Sequence, residues 1–391
     1  LDILIVGGGI GGLSASLALA HHGLKAHVFE QASAFDEVGA GIQLSPNSTR
    51  ILHAFGLEPA LRPLVFLPKA AQIRHWRHGK TLAETPLGDS AQAKYGAPYY
   101  HIHRADLMRI LLDAAERNPL VSLHTKARTE GGSQTPSGVS LTLGDKTYEG
   151  DALIGADGIH SRLRTQMWGE QTARFTGNVA WRALVPRAAL PADLIAPNAS
   201  LWWGPGKHFV HYYVQGGEMV NCVCVVEKSG WEVESWTHAG TQSELTDDFI
   251  GWHSDIQQLI EAAEPDSLFK WALFDRPPMR QWGKGRLSLL GDACHPMLPF
   301  MAQGSAMAIE DGAVLAGCLA ANYDVKAALQ RYEDIRKPRT ARLQNLSRRN
   351  AHVFHMRGLG GFVRNQLAPW AGQCAMQDTY AYDAFAQAVE A

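Results

Sequence analysis

The stretch LDILIVGGGIGGLSASLALAHHGLKAHVFE, residues 1–30, constrains this chain more than any other. Ile3 to Val6 is a short β-branched run that stops at glycine, and from Leu13 onward Leu17, Leu19 and Ala20 place apolar side chains at helical spacing. That order reads as strand, tight turn, helix. Gly7, Gly9 and Gly12 form G-x-G-x-x-G at the turn: one absent side chain permits the turn, one lets a pyrophosphate approach the backbone, and one lets helix and strand pack closely. A second strand, Lys25 to Phe29, ends in Glu30, about 18 residues beyond Gly12, where a carboxylate accepts hydrogen bonds from a ribose diol. The helix N-terminus adds unpaired N–H groups and a positive dipole end. Glycines alone are weak evidence; strand, glycines, helix, strand and acid in register predict a dinucleotide site.

A chain of 391 residues exceeds what one hydrophobic core usually holds, so about two domains are expected. The net charge of −2 offers no bulk attraction to nucleic acid or to an anionic membrane, and neither is expected as a partner. No run of about 18 apolar residues predicts a membrane span. The five cysteines are scattered without metal-ligand spacing, which fits reduced thiols, a cytoplasmic location and no metal site. Cys222 and Cys224, two apart on a predicted strand, are expected to pack together. The chain starts inside its first strand without a methionine, which leaves room for a few residues, or a leader, before Leu1.

Gly39-Ala40-Gly41-Ile42 places two close glycines where backbone presses on something flat or bulky, ahead of a helix over about Ser48 to Phe55. Ala71 to Glu84 reads as a strand excursion turning at Gly79-Lys80. An amphipathic helix begins at His103-Arg104, and Arg104 at its start suits a diphosphate or solvent equally on spacing. A hairpin turns at Gly144-Asp145, and the buried strand Ala152 to Ile154 ends in Gly155-Ala156-Asp157-Gly158, with Ser161 as an N-cap for the next helix. From 174 to 275 the periodicity moves toward two: Val179 to Val185, Ser200 to Trp203, His208 to Val214 and Met219 to Val226 read as strands of one large antiparallel sheet. His208 and Tyr212 share one face of a strand and His211 lies on the other, neither face being polar, so both faces are expected to be covered. Leu287 to Leu290 is a further buried strand ending at Gly291-Asp292, an acid that on position alone also suits an exposed turn. After Pro299 a small-residue helix opens at Gln303-Gly304-Ser305. Val325 onward is helical; Pro338 is expected to bend or divide it, and the basic run Arg336, Lys337, Arg339, Arg342, Arg348, Arg349 reads as a solvated face. Phe362, Trp370, Tyr380 and Phe385 then cover the second domain or a partner chain.

Gly7-x-Gly9-x-x-Gly12 with Glu30, then Gly155-Ala156-Asp157-Gly158, then Gly291-Asp292 with Pro299, resemble the three sequence marks of single-component flavin aromatic hydroxylases of the para-hydroxybenzoate hydroxylase fold. The similarity spans nearly the whole chain. Within that group GAGIQLSPN from Gly39, WWGPGKHFVHYYVQGG from Trp202, HPMLPFMAQGSAMAIED from His295 and KPRTAR from Lys337 are most similar to 3-hydroxybenzoate 6-hydroxylases, next to salicylate and 6-hydroxynicotinate hydroxylases. The implied fold is α/β: a Rossmann-like FAD-binding domain (1–70, 95–173 and 276–322), an inserted antiparallel-sheet substrate domain (71–94 and 174–275) and a C-terminal helical region (323–391).

The resemblance implies FAD, held at Gly7, Gly9, Gly12, Glu30, Gly41, Arg104, Asp157, Gly158, Gly291, Asp292, Pro299 and Gly304. With a single dinucleotide fingerprint, NADH or NADPH visits transiently. The implied reaction reduces FAD, captures O2 as a flavin C4a-hydroperoxide and hydroxylates a small phenolic aromatic acid, 3-hydroxybenzoate to 2,5-dihydroxybenzoate being the first expectation. A decarboxylating salicylate or 6-hydroxynicotinate type is the alternative, and a flavin oxidase the reading from another class. His208 and Tyr212 match positions around the substrate hydroxyl, and Gln303 a further substrate-side group; a lone sheet histidine is otherwise usually a packed one. Gln43 and Phe300 stand where 6-hydroxynicotinate hydroxylases place histidines, which disfavours a pyridine. A homodimer is the family-level expectation.

Overall fold

The computed structural model describes residues 1–35, 40–129, 131–230, 238–322 and 324–389. Short apolar runs, most of them buried on both faces, form a five-stranded parallel sheet in the order Leu287–Leu289, Ala152–Gly155, Asp2–Val6, Lys25–Phe29, Val121–His124. Asp2–Val6 is central, pairing Ile5 with both Ile154 and Val28. The helices Ile10–His21 and Gly304–Ala321 pack face to face. Small residues permit that approach: a Cβ on Gly312 would lie 2.9 Å from the Ala15 backbone. The helix Gly304–Ala321 also reaches the length and hydropathy of a membrane span, which corrects the expectation that no segment does. It is 72% buried inside the protein, with Glu310 and Asp311 in its middle, and serves as a core helix.

The second layer is a seven-stranded sheet in the order Phe269–Asp275, Arg174–Pro186, Met219–Glu227, Lys207–Val214, Ala199–Gly204, Ala70–His75, Thr81–Pro86. It is antiparallel except where Ala199–Gly204 meets Ala70–His75, a parallel pair formed because the early excursion joins the sheet from the nucleotide side. The strand period of two sorts its faces. Trp181, Trp202, Phe209, Tyr213, Cys222 and Cys224 pack on one side with the helices Gln242–Asp248 and Ser254–Glu261. His208, Val210, Tyr212 and Val223 turn to the other, toward the parallel sheet. The four described cysteines are unpaired and buried.

The C-terminal region departs from its expectation. One continuous helix, Val325–Phe354, runs through Pro338 without dividing. Ion pairs on both sides of the proline hold its axis: Arg336 reaches Glu310 (2.6 Å) and Asp311 (2.7 Å), and Arg339 reaches Glu310 (2.8 Å). The basic run is therefore not a solvated face. Arg336 is 0% exposed and Arg348 grips Asp275 at 2.5 Å, while Arg342 does remain in solvent. The next helix, Gly358–Tyr380, packs against the edge strand Thr81–Pro86, with Ala368 in one apolar cluster with Leu82 and Ala83. Tyr380 packs on Tyr99, Phe385 on Phe55 and His21, and Phe362 stays exposed; the Trp370 side chain and Gly39 lie outside the described residues.

Candidate active site

A cavity of about 1140 Å3 separates the two sheets. Its rim consists of the three turns at the ends of neighbouring parallel strands, and residues far apart in sequence meet there because those strands are adjacent. Gly7 takes φ +107°, and a Cβ on it would lie 2.3 Å from the Ala156 carbonyl oxygen. On Gly12 a Cβ would lie 1.9 Å from the Gly7 oxygen, so Gly12 serves helix–strand packing and does not itself line the cavity. Gly9 caps the helix Ile10–His21 and leaves its first N–H groups facing the opening. Glu30 accepts from the Gly8 N–H (2.8 Å) and the Ala32 N–H (2.9 Å), which fixes the carboxylate at the strand end.

Asp157 accepts from the Arg162 N–H with Oδ2 (2.7 Å), while its Oδ1 is buried without a protein partner. Gly158 beside it has φ +74°. Gly291 (φ +64°) donates to Asp311 Oδ2 (3.0 Å), which sets the turn that opens Asp292 onto the cavity. Surrounding protein desolvates the Asp292 carboxyl and raises its pKa, against the opposing pull of His295 and Arg104. Asp311, despite its burial, is held down at about 2 by His295 and Arg336. Arg104 lines the same cavity, as do Pro299 and Gly304. Gly41 donates to Asn221 Oδ1 (2.7 Å), and a Cβ there would lie 2.7 Å from the Tyr212 ring: the backbone of one layer rests on a side chain of the other.

The opposite wall is made of side chains. His208 is 2% exposed, between the rings of Phe300 (5.2 Å) and Phe354 (5.3 Å). Burial, and then His355, push its pKa well below the usual histidine value, so the ring is neutral. Tyr212 lines the same face and burial raises its pKa, which keeps it a phenol. His211, on the other face, accepts from the Trp202 indole (2.9 Å) within the core and does not reach the cavity. Gln303 lines the cavity, but its amide is engaged: Nε2 donates to Ser45 Oγ (2.9 Å) and Oε1 accepts from Asn47 (3.3 Å). Gln43 accepts from the Tyr99 hydroxyl (2.6 Å).

Two contributors carry no local sequence signal. Arg182 is a 4%-exposed cavity-lining guanidinium whose Nη2 has no hydrogen-bond partner among the described residues. His355, at the end of a helix some 147 residues further along the chain, sits 2.8 Å from His208.

These features fit an FAD: an acid at a strand end beside the glycine turn, helix N–H groups and the cavity-lining Arg104 and Arg182, an orphaned carboxylate oxygen, and turns where a Cβ would collide. The FAD binding domain family matches residues 1–347, and the chain belongs to it, among the single-component FAD aromatic hydroxylases. It is 42% identical over 356 residues to the 3-amino-4-hydroxybenzoate 2-monooxygenase PtnB3 of Streptomyces platensis, covering 90% of this chain and 88% of the relative. It is 38% identical to the 6-hydroxynicotinate 3-monooxygenase of Pseudomonas fluorescens (89% and 90% covered) and 38% identical to the 3-hydroxybenzoate 6-hydroxylase of Polaromonas naphthalenivorans (95% and 92%). Among solved structures, Klebsiella pneumoniae HpxO complexed with FAD and uric acid superposes with a TM-score of 0.86 at 26% identity, covering 97% of this chain and 96% of that one.

Proposed function

We propose that this chain uses NADH or NADPH and O2 to hydroxylate a hydroxybenzoate, with His208 as the base at the phenol oxygen. The supporting observation is a neutral imidazole on a dry aromatic wall, one nitrogen taken by His355 and the ring lining the cavity. FAD, when bound, takes electrons from the nicotinamide and activates O2. The chain's own residues do the rest. Phe300 and Phe354 keep water from the reacting ring, and His208 withdraws the phenol proton so that the ring becomes electron-rich. Tyr212, four residues along the same face, orients the hydroxyl. N–H groups at Gly304 and Ser305 stabilise negative charge at the cavity end. Gln303, held by Ser45 and Asn47, shapes the floor and orients rather than transfers a proton.

A benzoate is favoured over a pyridine by Gln43 and Phe300, neither of which offers a basic group to a ring nitrogen. The 42% relative widens the first expectation, 3-hydroxybenzoate, to include 3-amino-4-hydroxybenzoate. The test is NADH oxidation by the FAD-loaded protein with 3-amino-4-hydroxybenzoate, 3-hydroxybenzoate, salicylate and 6-hydroxynicotinate, each product identified by mass. A hydroxylated benzoate formed in proportion to NADH supports the reading. Hydrogen peroxide alone from all four acids retires these substrates. His208→Ala is expected to keep FAD and lose about 10²–10⁴ in hydroxylation rate; unchanged turnover would place the base elsewhere.

A further inference from the structure

A second cavity, of about 380 Å3, opens beyond the end of the same sheet face, beneath the end of the helix Val325–Phe354, and is lined by Asn178, Glu227, Lys228, Ser229, His352 and His355 among others. Among the described residues, none lines both cavities. The His208–His355 pair is the partition: His208 faces the large cavity, His355 the small one, with His208 Nδ1 and His355 Nε2 2.8 Å apart. On its far side His355 Nδ1 lies 3.3 Å from Glu227 Oε1, whose side chain is 42% exposed.

We propose that Glu227, His355 and His208 form a proton relay that connects the phenol site to solvent through this second pocket. The proposal rests on the reading of His208 as base and extends it. Tautomers follow from the partners. A carboxylate only accepts, so His355 Nδ1 carries hydrogen; its Nε2 then accepts; His208 Nδ1 must therefore donate; and the lone pair of His208 Nε2 is left for the cavity. Burial, followed by Arg357, Arg364 and His352, holds His355 at about 3, so both rings are neutral acceptor–donor links at neutral pH.

The step balances. The substrate O–H breaks as N–H forms at His208 Nε2, the Nδ1 proton of His208 moves to His355 Nε2, and the Nδ1 proton of His355 moves to the Glu227 carboxylate, which exchanges it with water. Return of the proton along the same path re-forms the phenol after oxygen transfer. Neither imidazole ends a pass with a net charge, which suits groups buried too deeply to hold one. The geometry is fixed from outside the relay. The His355 carbonyl accepts from the Gly206 N–H (3.0 Å), Arg364 donates to the Phe354 carbonyl (2.6 Å), and Arg357 pairs with Glu227.

The test compares FAD-loaded His208→Ala, His355→Ala and Glu227→Gln, with 3-amino-4-hydroxybenzoate and 3-hydroxybenzoate as probes and FAD content and KM measured throughout. His355→Ala is expected to lower kcat about tenfold or more, with KM little changed, and imidazole entering the enlarged second pocket is expected to restore it. Glu227→Gln keeps a polar side chain of the same size but cannot take the proton, so it is expected to lower kcat by a smaller factor and to raise the solvent isotope effect. Full kcat in His355→Ala, or a loss that imidazole does not restore while Glu227→Gln keeps the parental rate and isotope effect, overturns the relay. The underlying reading fails differently: unchanged turnover in His208→Ala removes the base itself. Loss there with full activity in His355→Ala removes the relay alone.

Discussion

The two sides of the cavity are built by opposite means. The rim is backbone: turns at three parallel strand ends, glycines that a Cβ would destroy, and acids fixed by main-chain N–H groups. The wall is side chains: His208, Tyr212 and Phe300, on strands and turns whose backbone is ordinary. A backbone cradle binds what every member of such a family binds. A side-chain wall can be rewritten without disturbing the fold.

Breaking the rim is expected to have the largest effect. Gly12→Ala forces a methyl to 1.9 Å from the Gly7 oxygen, and since neither strand nor helix can yield, no folded FAD-retaining protein is expected; soluble yield and flavin absorbance check it. Next is the clamp behind the rim. Arg336→Met removes the buried guanidinium shared by Glu310 and Asp311, leaving Glu310 to Arg339 alone and Asp311 to His295, and is expected to cost about 3–5 kcal/mol in denaturant unfolding. On the wall, the two histidines of one strand separate chemistry from packing. His211→Ala is expected to cost about 1–3 kcal/mol of stability by leaving the Trp202 N–H unpaired, while turnover per FAD is kept, the reverse of His208→Ala.

The smallest effect sharpens the same contrast through pH. Burial lowers His101, His211 and His355 to about 3 in the folded protein, against about 6.5 when unfolded. The unfolded chain therefore binds more protons below that value. Stability contributed by each is complete above about pH 6.5 and falls toward pH 3, by at most about 1.4 kcal/mol per pH unit per histidine. Denaturation midpoints at pH 7.5 and 5.5 check it: the midpoint is expected to fall, and to fall less in His211→Ala. A flat profile would mean these rings are not desolvated.

What could be read ahead of the structure follows the same division. The rim was legible because each of its features is local: Gly7 to Glu30 is one strand–helix–strand unit, and Asp157 and Asp292 each sit at the end of a short apolar run. The basic run around Pro338 was misread because a charge pattern says nothing about its partners; Glu310 and Asp311 lie on another helix, and with them Arg336 becomes a core residue. Arg182, one arginine in a strand, looked like any other.

By itself the sequence determined the parallel nucleotide sheet, its three turns and the dry second sheet, since periodicity and glycine spacing act over a few residues. Tertiary structure alone decided that His208 meets His355, that Glu227 stands behind them, and that Gly41 presses on Tyr212. Those contacts join segments well over a hundred residues apart, and only tertiary packing brings them together.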